Sequence, residues 1–230
     1  MKTINLKVVS STNTEIKKYL SGGEDIILTA ERQTGGMGTK GRSFLSKEGG
    51  LYISALTFYG DFPASDAFRV MTHAAVAVCR TAEQFGAEPE IKWANDVYVS
   101  GRKLCGILIE NEIAAGKLRH SIVGIGVNVN NDLSALGGIA ISLAEAIGKE
   151  LPLDKVRDSL IKNLQKTDSF SDYLHYVRFL NKQIAVTERE EHYKAFAREV
   201  LPDGRLVIER DGKKRALSAA EISFQFTERL

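Results

Sequence analysis

Three β-rich runs joined by short turns lie between residues 91 and 130. IKWANDVYV turns at Ser100–Gly101 into RKLCGILIENEI, and a second turn at Ala115–Gly116 leads into KLRHSIVGIGVNVN. Turns this short reverse the chain, so the runs predict an antiparallel meander. The meander constrains the fold strongly, because its strands must share one sheet and the remaining elements must cover that sheet.

The flanking segments predict further strands and helices. Thr12 and Glu15 form a T-x-x-E pattern that predicts a capping box at the start of a helix ending near Gly22. Apolar residues at helical spacing predict a long helix that opens at Pro63 and ends near Phe85. Strands are predicted at 4–9, 26–30 and 51–59, and helices between 139 and 181.

The sequence pattern changes after Asn181. Short β-rich segments follow one another, separated by turns at 202–204 and 211–212. About 45 residues cannot bury much core alone. The tail therefore predicts a small β-barrel docked on the main domain.

The composition is that of a globular protein and not of a disordered or membrane-spanning one. Of 230 residues, 43% are hydrophobic and 26% charged, and the net charge of +2 gives no reason to expect a nucleic acid as the main partner. No apolar run approaches the roughly 20 residues that span a bilayer, and the N-terminus lacks the apolar core of a signal peptide. Cys79 and Cys105 fit reduced thiols, so we expect a cytoplasmic setting without membrane contact.

A glycine-rich, basic segment extends from Glu31 to Gly50. Six glycines accompany Lys40, Arg42 and Lys47, and no hydrophobic period runs through the segment. Glycine lets the backbone approach a ligand closely, and cations among glycines favour an anion such as phosphate. The residues alone leave a long, mobile surface loop as the alternative.

Polar residues interrupt segments that are otherwise fit for burial. A buried charge is costly unless it is paired or faces a ligand, so these positions are candidates for a site. A polar group at the start of the first helix is a second candidate, although Thr12 alone is equally well read as a cap and Asn95–Asp96 as a turn. The candidates are Ser11, Thr12, Asn13, Lys92, Asn95, Asp96, Lys103 and Asn128.

Six runs in order resemble the biotin protein ligases along nearly the whole chain. They are STN at 11–13, QTGGMGTKGRSF at 33–44, KWANDV at 92–97, KLCGILIE at 103–110, GIGVNVN at 124–130 and EIS at 221–223. The resemblance implies an α/β (α+β) fold: a catalytic domain over 1–181 with a mixed or antiparallel sheet flanked by helices, then an SH3-like β-barrel over 182–230. Because the chain begins at the first catalytic strand, we expect a ligase without a DNA-binding domain.

The resemblance also implies a two-step reaction. Biotin and Mg-ATP give biotinyl-5′-adenylate and pyrophosphate, and a lysine of a biotin carboxyl carrier protein domain, as in acetyl-CoA carboxylase, then takes the biotin. The implied catalytic residues are Lys103, Arg42 and Asp96, with Asp96 also a ligand for Mg²⁺. The implied biotin-binding residues are Ser11, Thr12, Asn13, Gln33, Gly36, Gly38, Thr39, Lys40, Lys103 and Gly106. The implied ATP-binding residues are Met37, Thr39, Lys40, Arg42, Phe44, Lys92, Asn95 and Asn128.

The sequence departs from the family pattern at a few positions. Met37 and Thr39 stand where arginines are frequent, Phe44 where tryptophan is frequent, Ala94 where proline is common, and Gln225 where an arginine often follows. Losing cations near the loop weakens retention of an anionic adenylate, and an aromatic ring at Phe44 still allows stacking on adenine.

Three other functions are compatible with parts of the sequence. One is a regulatory protein that holds biotin or its adenylate with little transfer. Another is a lipoate or octanoate ligase relative, and the least supported is a nucleic-acid binder using KKR at 213–215. The chain is expected to be a monomer or a homodimer.

Overall fold

A seven-stranded mixed sheet forms the centre of the computed structural model, which describes residues 2–226. The strand order is β1-β2-β3-β7-β6-β5-β4; β1 pairs parallel with β2, and every other pair is antiparallel. The predicted mixed α/β architecture is confirmed. The strands are β1 Lys2–Val9, β2 Ile26–Gln33, β3 Leu51–Phe58, β4 Pro89–Lys92, β5 Asp96–Val99, β6 Arg102–Ala114 and β7 Lys117–Val127.

The predicted meander is present, with one strand more than the sequence indicated. Its turns have positive φ at Ser100–Gly101 and Ala115–Gly116, which suits tight hairpins. The first β-rich run is interrupted at residues 93–95, where the chain reverses between β4 and β5. The interruption brings Asp96 opposite Lys92 in the ladder, so both side chains of this polar turn stay near one another.

Helices cover both faces of this sheet. Residues Val70–Ala82 of α2 contribute many buried side chains to the main core on one face. On the other face, Ile16 of α1 packs with Leu28, Leu56 and Ile122 in a smaller apolar cluster. The helices are α1 Thr12–Ile16, α2 Phe68–Gln84, α3 Leu143–Ile147, α4 Leu153–Asn163 and α5 Phe170–Tyr176. Within residues 2–226, no helix is long and apolar enough to cross a bilayer.

The capping box predicted at Thr12 and Glu15 is wrong. Ser11 occupies the cap position without a side-chain cap hydrogen bond, and Thr12 is the first helical residue. The Thr12 hydroxyl donates instead to Gln33, 21 residues away, and Glu15 pairs with Lys18. A long-range partner therefore replaces the local cap.

The chain after Asn181 forms a second, five-stranded antiparallel sheet, as predicted for the β-rich tail. Its described strands form an open sheet in the order β11-β10-β9-β8-β12. Trp93 of the β4–β5 turn stacks on Phe224, with ring centroids 6.4 Å apart, and donates to the Gly204 carbonyl at 2.9 Å. The division at residues 181 and 182 stays a prediction. The strands are β8 Gln183–Glu188, β9 Glu191–Val200, β10 Leu206–Arg210, β11 Lys213–Leu217 and β12 Ile222–Phe226.

Buried tyrosines predict that the fold is lost in alkali. Burial raises the pKa of Tyr98 to about 12 and the pKa of Tyr52 and Tyr173 further still. A phenol whose pKa is higher in the folded state stabilises the fold fully below its unfolded value of about 10, and this stability is lost as the pH rises through the folded pKa. Each fully shifted phenol costs roughly 1.4 kcal/mol of unfolding free energy per pH unit. We expect unfolding between about pH 10 and 12.

A pH titration followed by circular dichroism and by phenolate absorbance measures this effect. The two signals should change together, because Tyr52 and Tyr173 ionise only when they are released from the core. Tyr173→Phe should lessen the slope of stability against pH. Complete phenolate formation near pH 10 in the folded protein would contradict the prediction.

Candidate active site

A cavity of about 330 Å³ lies on the face of the first sheet that carries α1. It is bounded by the start of α1, the glycine-rich segment, the β4–β5 turn and strands β6 and β7. The cavity brings together all the predicted site residues except Gly36 and Lys40. The predicted residues that line it are Ser11, Thr12, Asn13, Gln33, Met37, Gly38, Thr39, Arg42, Phe44, Lys92, Asn95, Asp96, Lys103, Gly106 and Asn128.

The glycine-rich segment forms an irregular hairpin at the mouth of this cavity. Gly38 donates to the Arg42 carbonyl at 2.6 Å, and Phe44 donates to the Gly36 carbonyl at 2.9 Å. Lys40 and Gly41 adopt positive φ values at the tip. Gly36 is needed for packing of this hairpin, since a Cβ there would lie 2.5 Å from the Phe44 carbonyl oxygen.

One end of the cavity is neutral and polar. Gln33 Oε1 accepts from the Thr12 backbone N–H at 2.7 Å and from the Thr12 hydroxyl at 3.1 Å. Gln33 Nε2 donates to Ser46 Oγ at 2.9 Å, and that hydroxyl donates to the Phe44 carbonyl. The relay fixes the Gln33 amide, so Thr12 Oγ1 keeps lone pairs for an incoming donor and Gln33 Nε2 keeps one N–H for an incoming acceptor.

The other end of the cavity is cationic. Lys103 Nζ lies 2.8 Å from Asp96 Oδ1, close enough for an ion pair. The geometry is not that of a hydrogen bond, so this solvent-shielded oxygen accepts no hydrogen bond from any described residue. Arg42 is held near this end through its contacts with the Thr39 carbonyl and hydroxyl, at 3.3 and 3.2 Å.

Lys92 is a half-buried cation in the same region. Burial is the main cause that lowers its pKa; Lys103 and Arg42 lower it further, whereas Asp96 raises it. Its ammonium lies 5.2 Å from the Tyr98 ring centroid and donates to the Tyr98 hydroxyl at 3.4 Å. An anionic ligand at this end would stabilise the charged form of Lys92.

Strand β12 of the second sheet borders the cationic end. Phe224 and Phe226 place their ring centroids 5.7 and 5.6 Å from Lys92 Nζ. Lys40 extends away from the cavity lining and donates to the Ile222 carbonyl of β12 at 3.4 Å. Gln225, one of the departures from the family pattern, is exposed on the same strand. The roles predicted for Lys40 and Gly36 in ligand binding stay predictions.

Phe44 supplies an aromatic surface inside the cavity. Its ring lies against two glycines of the sheet, and a Cβ at Gly126 would be 2.7 Å from the ring. A Cβ at Gly106 would be 3.2 Å from the same ring, and Lys103 Nζ lies 5.9 Å from its centroid. The absence of a side chain at Gly106 and Gly126 therefore lets the Phe44 ring pack directly on the sheet.

Two predicted polar residues already bond to neighbouring parts of the protein. Asn95 Nδ2 donates to the Ile107 carbonyl at 2.9 Å, which supports the β4–β5 turn. Asn128 Oδ1 accepts from Asn131 at 3.0 Å. Their predicted contacts with nucleotide stay predictions.

Sequence reasoning did not single out several residues of this region. Tyr98, Gly124 and Gly126 line the cavity, while Ser46 and Glu110 bond to residues that do. The G-x-G spacing at 124–126 is a signal for two of them, since alternate strand residues share a face. Ser46 and Glu110 act through contacts that no local pattern reveals.

Comparisons with known proteins identify the family to which the chain belongs. Residues 6–128 match the model of the biotin/lipoate A/B protein ligase family. The bifunctional ligase/repressor BirA of Bacillus subtilis is 32% identical over 174 residues, which cover 73% of this chain and 53% of that protein. The chain thus spans about half the length of this curated relative.

A second relative is the biotin–[acetyl-CoA-carboxylase] ligase of Mycobacterium tuberculosis, 25% identical over 92% of this chain and 85% of that protein. The crystallised biotin protein ligase of Aquifex aeolicus in complex with biotin and ATP has the same fold, with a TM-score of 0.77 and 23% identity over 98% of this chain and 99% of that one. The family match covers more than half of the chain and includes most of the cavity-lining segments. The chain belongs to the biotin/lipoate A/B protein ligase family.

Proposed function

We propose that the chain is a biotin protein ligase. A biotin carboxylate oxygen would attack the α-phosphorus of ATP, forming the biotinyl-5′-adenylate as the bond to pyrophosphate breaks. A lysine amine of a carrier domain would then attack the carbonyl, forming an amide and releasing AMP and a proton. The observation that carries the proposal is one cavity with a neutral polar end and a cationic end.

The neutral end suits the ureido ring of biotin. That ring presents one carbonyl acceptor and two N–H donors, and each loses free energy on burial unless it is hydrogen bonded. Thr12 Oγ1 is available as an acceptor, whereas Gln33 Nε2 and the Ser11 hydroxyl are available as donors. The dithiolane ring of lipoate offers no such groups, so this end favours biotin over lipoate.

The cationic end suits the reacting groups. A carboxylate and a triphosphate repel each other, so the transfer needs positioning and charge neutralisation more than covalent chemistry by the protein. Lys103 of strand β6 lines the cavity, and Arg42 and Lys92 add positive charge nearby. Phe44 offers a flat apolar surface on which adenine can stack.

The residues present fit a magnesium ion that arrives with ATP. Magnesium binds proteins through one or two carboxylates and completes its shell with phosphates and water. Asp96 Oδ1 is a buried carboxylate oxygen without a hydrogen bond, and no cluster of three or more metal-binding side chains occurs within residues 2–226. When bound, the ion would neutralise phosphate charge, and Asp96 would hold it. Lys103 would orient the carboxylate of biotin.

A carrier domain is the proposed acceptor. The Mycobacterium tuberculosis relative is named for acetyl-CoA carboxylase, which supports a biotin carboxyl carrier domain as the class of partner. Only about one lysine in 10³ is a free amine at neutral pH, so the acceptor lysine must lose its proton near a base, and Asp96 is suited to that role. The free thiols of Cys79 and Cys105 support a cytoplasmic setting.

The loop substitutions alter this site without removing its charge. Thr39, where arginine is frequent in relatives, accepts a hydrogen bond from Arg42 and so holds that guanidinium at the hairpin. We infer that Met37 and Thr39 leave this loop with fewer cations than the arginine-rich pattern, and that Arg42 keeps one cation at the cavity.

ATP–pyrophosphate exchange tests the proposal. We expect exchange with biotin, at least tenfold slower exchange with lipoate or octanoate, and transfer of biotin to a carrier domain. Biotin binding without exchange or transfer would indicate a regulatory protein, and faster exchange with lipoate would assign the site to that acid. Circular dichroism of the same sample establishes that the protein is folded.

A further inference from the structure

The Asn13 amide lines the cavity, yet both of its ends are bound to the protein. Ser54 Oγ donates to Asn13 Oδ1 at 2.6 Å, and Asn13 Nδ2 donates to Glu110 Oε1 at 3.0 Å and to the Leu108 carbonyl at 3.5 Å. A carboxylate only accepts, so the atom facing Glu110 must be the nitrogen. Both N–H groups are used within the protein, which leaves Asn13 no donor for a ligand.

Gly124 on β7 provides the space for this amide. A Cβ at position 124 would lie 2.9 Å from Asn13 Cγ and closer still to Oδ1. The backbone of Gly124 is ordinary strand, so the requirement is for space and not for a special φ. The amide of Asn13 is therefore packed directly on the sheet.

The helix that carries Ser11 and Thr12 depends on such contacts. It has five residues and no side-chain cap, and helices this short are not stable by themselves. Glu110 binds it twice, through Asn13 at its start and through Lys17, whose Nζ lies 2.6 Å from Glu110 Oε2, just after its end.

We propose that Asn13 is a positioning residue of the ligase site: its amide, seated on Gly124 and held by Ser54 and Glu110, orients Ser11 and Thr12 toward biotin. This inference rests on the proposed function and revises the expectation that Asn13 contacts biotin itself. Ser54 and Glu110 do not line the cavity, yet they determine how its neutral end is presented.

Two substitutions that reverse the hydrogen-bond donor and acceptor between positions 13 and 110 test the proposal. Asn13→Asp places a carboxylate against Glu110, and we expect the Kd for biotin to rise tenfold or more. Glu110→Gln in the same chain restores a donor opposite the new carboxylate, so the double variant should recover most of the affinity. The Kd for ATP, measured by the same calorimetry, should stay within twofold throughout.

Ser54→Ala has a matched control in Ser121→Ala. Each change removes a 2.6 Å hydrogen bond from a fully buried serine to an asparagine, to Asn13 in one case and to Asn111 in the other. Both should lower the melting temperature similarly, but only Ser54→Ala should weaken biotin binding. Equal biotin affinity in the two variants would overturn the proposal, as would an Asn13→Asp defect that Glu110→Gln leaves unrepaired.

Amide hydrogen exchange with solvent at residues 11–17 tests the positioning role of Asn13 without depending on whether the protein binds biotin. In the ligand-free protein, Asn13→Asp should speed the exchange of these backbone amide hydrogens with solvent, and adding Glu110→Gln to that variant should slow it again. If the wild type binds no biotin, the proposed function fails, and the exchange pattern still decides the positioning role. Unchanged exchange in Asn13→Asp would overturn that role.

Discussion

We expect Lys103→Met to lower biotin-dependent ATP–pyrophosphate exchange by about 10²- to 10³-fold, the usual cost of removing one preorganised charged or hydrogen-bonding group from a reacting centre. Methionine keeps the length and apolar stem of lysine and removes only the cation. Lys103 Nζ lies in the cavity beside Asp96. In the proposed reaction, the biotin carboxylate and the α-phosphate would approach each other there. Without the ammonium, their mutual repulsion is no longer compensated.

The loss of activity must be separated from a loss of folding. Lys103→Met leaves the largely buried Asp96 carboxylate unpaired, so some loss of stability is expected. Thermal unfolding of Lys103→Met followed by circular dichroism measures that loss, and exchange assayed well below the measured melting temperature should still be reduced. Normal exchange in the folded variant would contradict a direct role for Lys103.

The second large effect is expected for Asp96→Asn. Asparagine keeps the shape of the side chain and removes the negative charge that we propose holds magnesium, so exchange should fall by about 10²-fold or more. The apparent requirement for Mg²⁺ should rise at the same time, because one anionic oxygen ligand is lost. Exchange assays over a range of Mg²⁺ concentrations measure both changes.

Asp96 has a second proposed role that the same variant distinguishes. If its only role were to help the acceptor lysine lose its proton, exchange would be normal. Transfer to the carrier domain would be slow at neutral pH and would recover as the pH rises toward the lysine pKa of about 10.4. Normal exchange with a normal Mg²⁺ requirement would therefore contradict the metal-binding role.

A surface ion pair provides the matched control for both variants. Lys117 Nζ and Asp61 Oδ1 are also 2.8 Å apart, but the Asp61 side chain is 85% exposed, whereas that of Asp96 is 18% exposed. Lys117→Met and Asp61→Asn should leave exchange unchanged and alter stability by at most about 1 kcal/mol, the usual range for exposed pairs. A similar loss of exchange in these controls would show that the assay responds to charge in general.

Local patterns predicted most of the fold. Alternation in β-rich runs and glycine-containing turns identified the meander, and apolar spacing identified α2, although that helix begins at Phe68 rather than near Pro63. The split between β4 and β5 was anticipated only as an alternative, a turn at Asn95–Asp96, because the apolar run is continuous through Trp93 and Ala94. That turn is supported by a hydrogen bond between Asn95 and Ile107 on another strand.

The capping box shows the same limit within the site. Thr12 and Glu15 satisfy a local rule, but Gln33 lies close to Thr12 in the fold and takes its hydroxyl. A residue 21 positions away cannot be recognised as the partner from spacing alone. Lys40 is similar: its bond to Ile222 joins positions 182 residues apart.

The sequence by itself determined which residue types are available for the chemistry: hydroxyls and an amide near the first helix, cations among glycines, and Lys103 with Asp96 in the meander. It did so because glycine content, charge and strand alternation are patterns that can be recognised within a few consecutive residues. Only the tertiary structure decided how they face one another. The Asn13 amide bonds to Ser54 and Glu110 and packs on Gly124, which has no side chain. Packing between strands that are far apart in the chain sets this orientation.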